Sequence, residues 1–308
     1  MAGRCGAAAP RTIPVGHDPP VDDTSDALDE EELTRALERS LVLSGGIVLP
    51  FGRVEVEPAL HYDYARHSGL AFVASGVATH DVQQENAQAS LGLRTGLPWQ
   101  MQLELFAPYR YDGLDDVTAG VRSRAERHGL GDVVAGLTKQ FFNDRSAHVG
   151  LVANVAYQWS TGKSSLGASA AGPSPSLGVG YDSCSATLRG VKGMDPLVFV
   201  GSFTHAFNFP ARVDGVRFEP ADTNAADLRA ILAASPDLSL RAGISASRTG
   251  EIRVDHATVA GSSQMIALLQ LGGSVVLTRR LLLDFAVGAG LTEDSPDFSV
   301  DVSLPFRF

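Results

Sequence analysis

Apolar and polar residues alternate along several stretches of this chain. Over residues 298–308 every second position is apolar, and the positions between them are serine, aspartate, proline or arginine. Because successive side chains of a β-strand point to opposite faces, this pattern predicts a strand with one apolar and one polar face. Such strands are typical of a membrane barrel that surrounds a polar lumen.

The same alternation recurs upstream. It covers residues 54–64, 87–97, 101–111 and 149–159. Residues 264–277 and 281–291 alternate poorly, but the turn-forming Thr-Arg-Arg sequence between them leads us to assign both as strands.

Short and long predicted connections alternate along the chain. Short ones are predicted near Trp99, Asp144, Asp195, Pro236 and Arg279. Longer polar stretches cover residues 66–85, 112–129, 160–180, 208–223, 248–263 and 292–297. Outer-membrane barrels show this asymmetry, with tight periplasmic turns and longer outside loops. The predicted fold is therefore all-β, a transmembrane antiparallel up-and-down barrel of about 12 strands over residues 47–308.

Residues 26–46 have a helical period instead. The spacing predicts an amphipathic helix whose acidic start and later arginines suit the helix dipole, and which ends at a Gly-Gly pair. Its plug-helix candidates are Leu33, Arg35, Leu37, Arg39 and Leu41. We expect the helix to plug the lumen, lie beneath the barrel or associate with copies of itself, the alternative being a plain periplasmic extension. Residues 1–25, rich in Pro and Gly, are expected to be disordered.

Composition narrows the function classes. Charged residues make up 19% of the chain, where about a quarter is usual for soluble domains. The net charge of −10 argues against a nucleic-acid partner. We expect no enzyme activity, cofactor or metal site, since no catalytic motif is present and the two cysteines, Cys5 and Cys184, lie far apart. No secretory segment is recognisable, so we expect a signal peptide upstream of this start.

Charged residues on the polar faces of the first three predicted strands are the candidate lumen lining. They are Glu55, Glu57, His61, Asp63, Arg94, Glu104 and Arg110. They form either a polar eyelet, a docking surface for the plug helix, or cross-strand pairs that simply fill the barrel. A barrel of about 12 strands is intermediate in width between filled barrels and open porins.

Four short segments carry a family resemblance: GLRTGL at 92–97, LELFAPY at 103–109, GLGDV at 129–133 and GLTEDSPDF at 290–298. They resemble the outer-membrane barrels of the MetA-pathway-of-phenol-degradation family. The resemblance implies a transport barrel, often tied to uptake of hydrophobic or aromatic compounds. Residues 33–56 are also similar to the Fap-type barrels that export functional amyloid subunits, in which a helical segment plugs a twelve-stranded pore.

The chain ends on an alternating apolar tail. Val302, Leu304, Phe306 and Phe308 resemble the C-terminal signal read by the barrel-assembly machinery. We therefore expect a bacterial outer-membrane channel for small hydrophobic or aromatic solutes, gated by the N-terminal helix. The alternatives are an export pore for an unfolded polypeptide and a structural barrel with a blocked lumen. Expected partners are outer-membrane lipid, the assembly machinery, the transported solute or polypeptide, and further copies of the chain.

Deleting Phe308 should lower the amount of folded barrel in the outer membrane, because the assembly machinery would lose the terminal aromatic residue. The measurement is the heat-modifiable folded band in isolated membranes, with Phe308→Tyr as the control that keeps an aromatic end. An unchanged folded band from the truncated chain would contradict the assembly-signal interpretation.

Overall fold

A computed structural model describes residues 46–308 except 74–75, 145–147, 166–173, 195, 214 and 279. The predicted disordered segment 1–25 and, apart from Gly46, the predicted helix 26–46 lie outside the described residues. None of the described residues belongs to a helix with the length and hydropathy that a membrane-spanning helix requires.

Strands dominate the described part of the chain. In chain order they are β1 (Val54–Val73), β2 (Gly76–Leu97), β3 (Met101–Thr118), β4 (Val121–Leu130), β5 (Val133–Asp144), β6 (Val149–Trp159), β7 (Ser183–Met194), β8 (Leu197–Asn208), β9 (Ala211–Val213), β10 (Val216–Glu219), β11 (Thr223–Ser235), β12 (Leu238–Thr249), β13 (Arg253–Val254), β14 (Ala257–Thr258), β15 (Gln264–Val276), β16 (Leu282–Gly290), β17 (Phe298–Ser303) and β18 (Phe306–Arg307).

Fourteen of these strands form one antiparallel sheet that closes where β17 pairs with β1. β4 and β5 follow one another along β3, and β17 and β18 follow one another along β1. Each of these pairs occupies one strand position in the wall, here called a stave. The wall of the described barrel therefore has twelve staves. The predicted twelve-stranded barrel is confirmed, including the poorly alternating segments that form β15 and β16.

The two faces of this wall differ as the alternation predicts. The inward side chain of Glu55 is 0% exposed, whereas the outward side chain of Leu60 is 63% exposed. Large apolar side chains are exposed on the outer face all around the barrel, among them Leu91, Leu105, Val155, Leu188, Phe203, Leu228, Ile244, Leu269 and Val287. Soluble proteins rarely leave so much apolar surface uncovered, whereas a lipid-facing wall requires it.

Aromatic rings cluster on the outer face toward the end of the barrel opposite the short turns. Phe298 lies 5.8 Å from the ring of Tyr62 and 5.7 Å from that of Tyr64. Tyr157 and Trp159 lie 5.1 Å apart on β6. Aromatic residues at this position are typical of the girdle that meets the lipid headgroups.

The prediction of loops over residues 66–85 and 112–129 is wrong. The β1–β2 ladder continues to the pair Val73↔Gly76, and the β3–β4 ladder continues to Thr118↔Val121. These extensions carry polar residues on both faces, so the alternation that marks a membrane strand is missing. Ion pairs support them: Arg66 Nη2 lies 2.6 Å from Asp81 Oδ2, and its hydrogen bonds hold the pKa of that carboxyl below its usual value.

Two further polar stretches, 208–223 and 248–263, are not structureless loops either. They contain β9, β10, β13 and β14, which form a separate four-stranded sheet. The short connections after β2, β5, β7, β11 and β15 share one end of the barrel with the described start and end of the chain, here called the turn end. The long connections after β6, β8 and β12 lie at the opposite, loop end, as predicted, whereas the β1–β2 and β3–β4 hairpins project there as extended strands separated by two residues each.

Candidate functional site

The first inner-face cluster crosses the closing seam of the barrel. Its residues are paired side by side on neighbouring strands, an arrangement here called a rung. Arg307 pairs with Glu55, Glu55 pairs with Arg94, and Arg94 pairs with Glu104 across β18, β1, β2 and β3. Arg94 Nη1 donates to Glu55 Oε1 at 3.0 Å, and Arg307 Nε donates to Glu55 Oε2 at 2.6 Å. The Glu55 carboxylate thus links two arginines from strands on either side of β1.

Neighbouring side chains extend this cluster. Arg94 Nη2 also lies 2.8 Å from Glu57 Oε2. Glu104 Oε1 accepts hydrogen bonds from Gln102 Nε2 at 2.8 Å and from Thr138 Oγ1 at 2.6 Å. The structure therefore brings four of the predicted lumen residues, Glu55, Glu57, Arg94 and Glu104, to one patch of the inner wall.

A second cluster lies on β1 and β17, closer to the loop end. His61 Nδ1 lies 2.6 Å from Asp301 Oδ1, and His61 Nε2 lies 3.1 Å from Asp63 Oδ2. Asn86 Nδ2 donates to Asp63 Oδ1 at 3.0 Å. Both ring nitrogens face carboxylate oxygens, a geometry in which an imidazolium donates to each.

Arg110 occupies the same wall but belongs to neither cluster. Its Nε donates to Gln88 Oε1 at 2.6 Å, and the residue is exposed. The sequence interpretation omitted two members of these clusters, Asp301 and Arg307, although both lie on the polar face of the last predicted strand. It also missed two inner-face pairs, Asp227–Arg229 at 3.0 Å and Arg241–Asp284 at 2.6 Å, in segments with weaker alternation.

The residues just before β1 run along the inside of the wall. Val48 N donates to Gln140 Oε1 at 3.2 Å, and Leu49 N donates to Gln102 Oε1 at 2.8 Å. Val48 and Leu49 are both buried. Residues 46–50, here called the strap, therefore cross from the inner face of β5 to β1 at the turn end. The strap lies so close to β2 that a Cβ on Gly96 would be 2.6 Å from Leu49 O.

The C-terminal residues keep their outward parity despite a break. β17 ends at Ser303, and Pro305 interrupts the strand before β18. Phe306 pairs with outward-facing Val56, while Arg307 pairs with inward-facing Glu55. The assembly-signal candidates Val302, Phe306 and Phe308 thus share the outer face, and Leu304 N bonds to Pro58 O at 3.0 Å across the break.

Within the described ranges, no group of three or more His, Cys, Asp or Glu side chains is placed to hold a metal ion. Cys184 is a free thiol on the outer side of β7. The inner wall instead offers charged and amide groups bonded to one another, which suits contact with water and polar solutes.

The fold and the inner wall together define a closed, twelve-stranded antiparallel β-barrel of the outer-membrane type. The structure is similar to the COG4313 outer membrane channel from Pseudomonas putida F1, with TM-score 0.68 and 15% identity over 85% of this chain and 97% of that one. At this identity the likeness shows the fold alone.

Weaker likenesses extend to the NanC porin, with TM-score 0.48, 6% identity and coverage of 83% of this chain and 100% of that one. The translocator domain of the autotransporter NalP from Neisseria meningitidis gives TM-score 0.46 and 12% identity over 92% of this chain and 98% of that one. No protein-family model and no curated protein match the sequence. The resemblances to the phenol-degradation and Fap barrels therefore remain predictions.

Replacing Glu55 by Gln should destabilise the barrel by about 3–5 kcal/mol, because two arginines would lose a buried carboxylate partner at the closing seam. The measurement is the urea midpoint of the folded, heat-modifiable band for protein refolded into lipid vesicles. Glu57→Gln is the matched control, since among the described residues its carboxylate has a single charged partner, Arg94, and its effect should be smaller. Equal midpoints for Glu55→Gln and the unaltered protein would refute a stabilising role for the rung.

Proposed function

We propose that this protein is an outer-membrane channel for the passive passage of small solutes. The observation that carries the proposal is the pairing of faces in one closed wall: charged and amide side chains inside, exposed apolar side chains outside. A closed barrel satisfies every strand edge, which is the condition for spanning a bilayer with β-strands. The outer aromatic cluster and the unequal lengths of turns and loops support an outer-membrane location.

The chemistry of the wall bears on the class of solute. The described inner face presents arginines, carboxylates, a histidine and amides, together with apolar side chains at Phe106 on β3 and in a buried aliphatic cluster of Val191, Val198, Val200 and Ile231 on β7, β8 and β11. Such a surface favours solutes that accept or donate hydrogen bonds. Uptake of hydrophobic or aromatic compounds, implied by the family resemblance, would place the apolar part of a solute against Phe106 and its polar part against the charged rung.

We further propose that the segment 26–46 restricts this passage. The strap supports this, because the bonds of Val48 N to Gln140 Oε1 and of Leu49 N to Gln102 Oε1 hold it against the inner wall. The strap, which begins at Gly46, lies at the lumen opening of the turn end. A charged amphipathic segment tethered there has the charged rung of β1, β2 and β3 within reach as a docking surface.

Deleting residues 26–43 should raise the single-channel conductance in planar bilayers, because the segment that narrows the turn end would be gone. The matched control replaces the same residues by a Gly/Ser linker of equal length, which keeps the tether but removes the leucine face. Both forms should conduct more than the full chain. Unchanged conductance in both would rule out the plug, and an absence of channels in all three folded proteins would favour a blocked structural barrel.

The double substitution Glu57→Gln with Glu104→Gln should reduce the preference for cations over anions, measured as reversal potential in a salt gradient. Removing two lumen carboxylates should change the permeability ratio about fivefold, the factor for about 1 kcal/mol between charges 4 Å apart in water. Asp81→Asn, on the hairpin beyond the membrane strands, is the control and should leave selectivity unchanged. An unaltered permeability ratio in the double variant would mean that these carboxylates fill the lumen without selecting ions.

A further inference from the structure

The connection between β6 and β7 turns back into the barrel at the loop end. Asp132 lies where β4 passes into β5, and its carboxylate receives three hydrogen bonds. Oδ1 accepts from Gly162 N at 2.8 Å, and Oδ2 accepts from Val179 N at 2.8 Å and Gln158 Nε2 at 3.1 Å. One buried carboxylate thus holds the backbone on both sides of the connection.

Asp112 on β3 provides a second attachment. Its Oδ2 accepts from Ser176 N at 2.6 Å, and its Oδ1 accepts from Gln84 Nε2 at 3.2 Å. Asp112 lies on the rung of Asp63 and Asn86, so its side chain belongs to the inner face. Asp112 and Asp132 are 2% and 7% exposed. Backbone amides therefore supply hydrogen bonds to two carboxylates that the loop helps to bury.

The loop also packs on the wall at residues 129–132, the Gly-Leu-Gly-Asp segment of the family resemblance. Leu177 is 1% exposed. A Cβ on Gly129 would lie 3.1 Å from Leu177 Cδ1, and one on Gly131 would lie 3.1 Å from Leu177 O. A Cβ on Gly178 would overlap the Asp132 carboxylate. The two wall glycines thus leave a flat surface for the loop, and the aspartate anchors it.

The two described arms of the loop are bonded to each other as well. Leu177 N donates to Lys163 O at 2.8 Å, and Ser165 N donates to Ser176 Oγ at 3.1 Å. On the wall side, Arg127 Nη1 reaches Ser164 O at 3.4 Å. Residues 162–165 and 176–179 therefore form one finger, fixed to β3, β4 and β5 on the inner side of the barrel.

We propose that Asp112 and Asp132 are positioning residues that hold this finger inside the lumen, so that the finger sets the size limit of the passage at the loop end. The proposal rests on the proposed channel function and names the residues that would determine its size selectivity. The wall does not need the finger for closure, because the ladders of β3, β4, β5 and β6 are complete without it. Releasing the finger should therefore widen the passage without opening the barrel.

The first measurement follows the finger itself. Leu177→Cys is introduced into the full chain carrying Cys5→Ser and Cys184→Ser, and the refolded protein in vesicles is treated with a polar maleimide. Leu177 is buried, so labelling should be slow while the finger is held. Asp132→Asn should speed labelling about tenfold or more, since losing charge-assisted hydrogen bonds shifts the equilibrium by at least that factor.

Two companion variants separate anchoring from charge. Gly178→Ala leaves every charge in place but forces the loop backbone away from Asp132, and it should also speed labelling. Asp227→Asn removes an inner-face carboxylate that pairs with Arg229 on β11, a strand whose ladder neighbours are β8 and β12 and not the strands that hold the finger, and it should not speed labelling. Slow labelling in Asp132→Asn and Gly178→Ala, or fast labelling in the parent protein, would overturn the anchoring.

The second measurement is the size limit, taken from vesicle swelling with neutral sugars of increasing mass. Asp132→Asn and Gly178→Ala should admit larger sugars than the parent, and Asp227→Asn should match the parent. If the finger is released but the limit of a permeable channel stays the same, the width-setting role is wrong while the channel function stands. If none of the folded proteins admits any solute, the proposed function itself fails, together with the width-setting role, although the labelling result still decides the anchoring.

Discussion

The closing seam between the first and last staves is the constraint on which the rest of this structure depends. A sheet of this size exposes two unpaired edges unless its ends meet, and in a bilayer an unpaired edge is not tolerated. Here β1 pairs with both β17 and β18, and the Glu55 carboxylate lies between Arg307 and Arg94 across that seam. The charges that close the wall are also charges that line the lumen, so closure and the chemistry of the passage share the same residues.

The closed wall surrounds a lumen, and a segment of the chain enters this lumen at each end. The strap enters at the turn end and bonds to Gln102 and Gln140, while the β6–β7 finger enters at the loop end and bonds to Asp112 and Asp132. Both use backbone amides as donors and inner-face side chains as acceptors. Buried amides need such partners, because leaving them unsatisfied inside the barrel would cost about 1–3 kcal/mol each. Each entry is thus matched to polar residues that the wall supplies.

The alternation together with the spacing of the turns was enough to predict the barrel and its twelve staves, and the alternation gave the seven lumen candidates a common face. It could not predict which of them meet, because alternation assigns a face but not a register: Glu55 meets Arg94 only because the β1–β2 hairpin pairs those rungs. The extensions of β1–β2 and β3–β4 were mistaken for loops because polar residues occur on both of their faces and interrupt the alternation. The finger left no pattern at all, because its anchors join side chains of the wall to backbone amides, and any residue has an amide.

The same distinction explains how such a barrel can vary its passage without losing its fold. The bonds that hold the wall are ladder bonds between neighbouring staves, whereas Asp132 bonds to residues 30 and 47 positions away in a connection outside the ladder. Substituting Asp132 or Gly178 changes the contents of the lumen and leaves the ladder intact, while substituting Glu55 acts on the seam itself. On the proposed role of the finger, width and stability depend on different residues, and substitutions should change them separately.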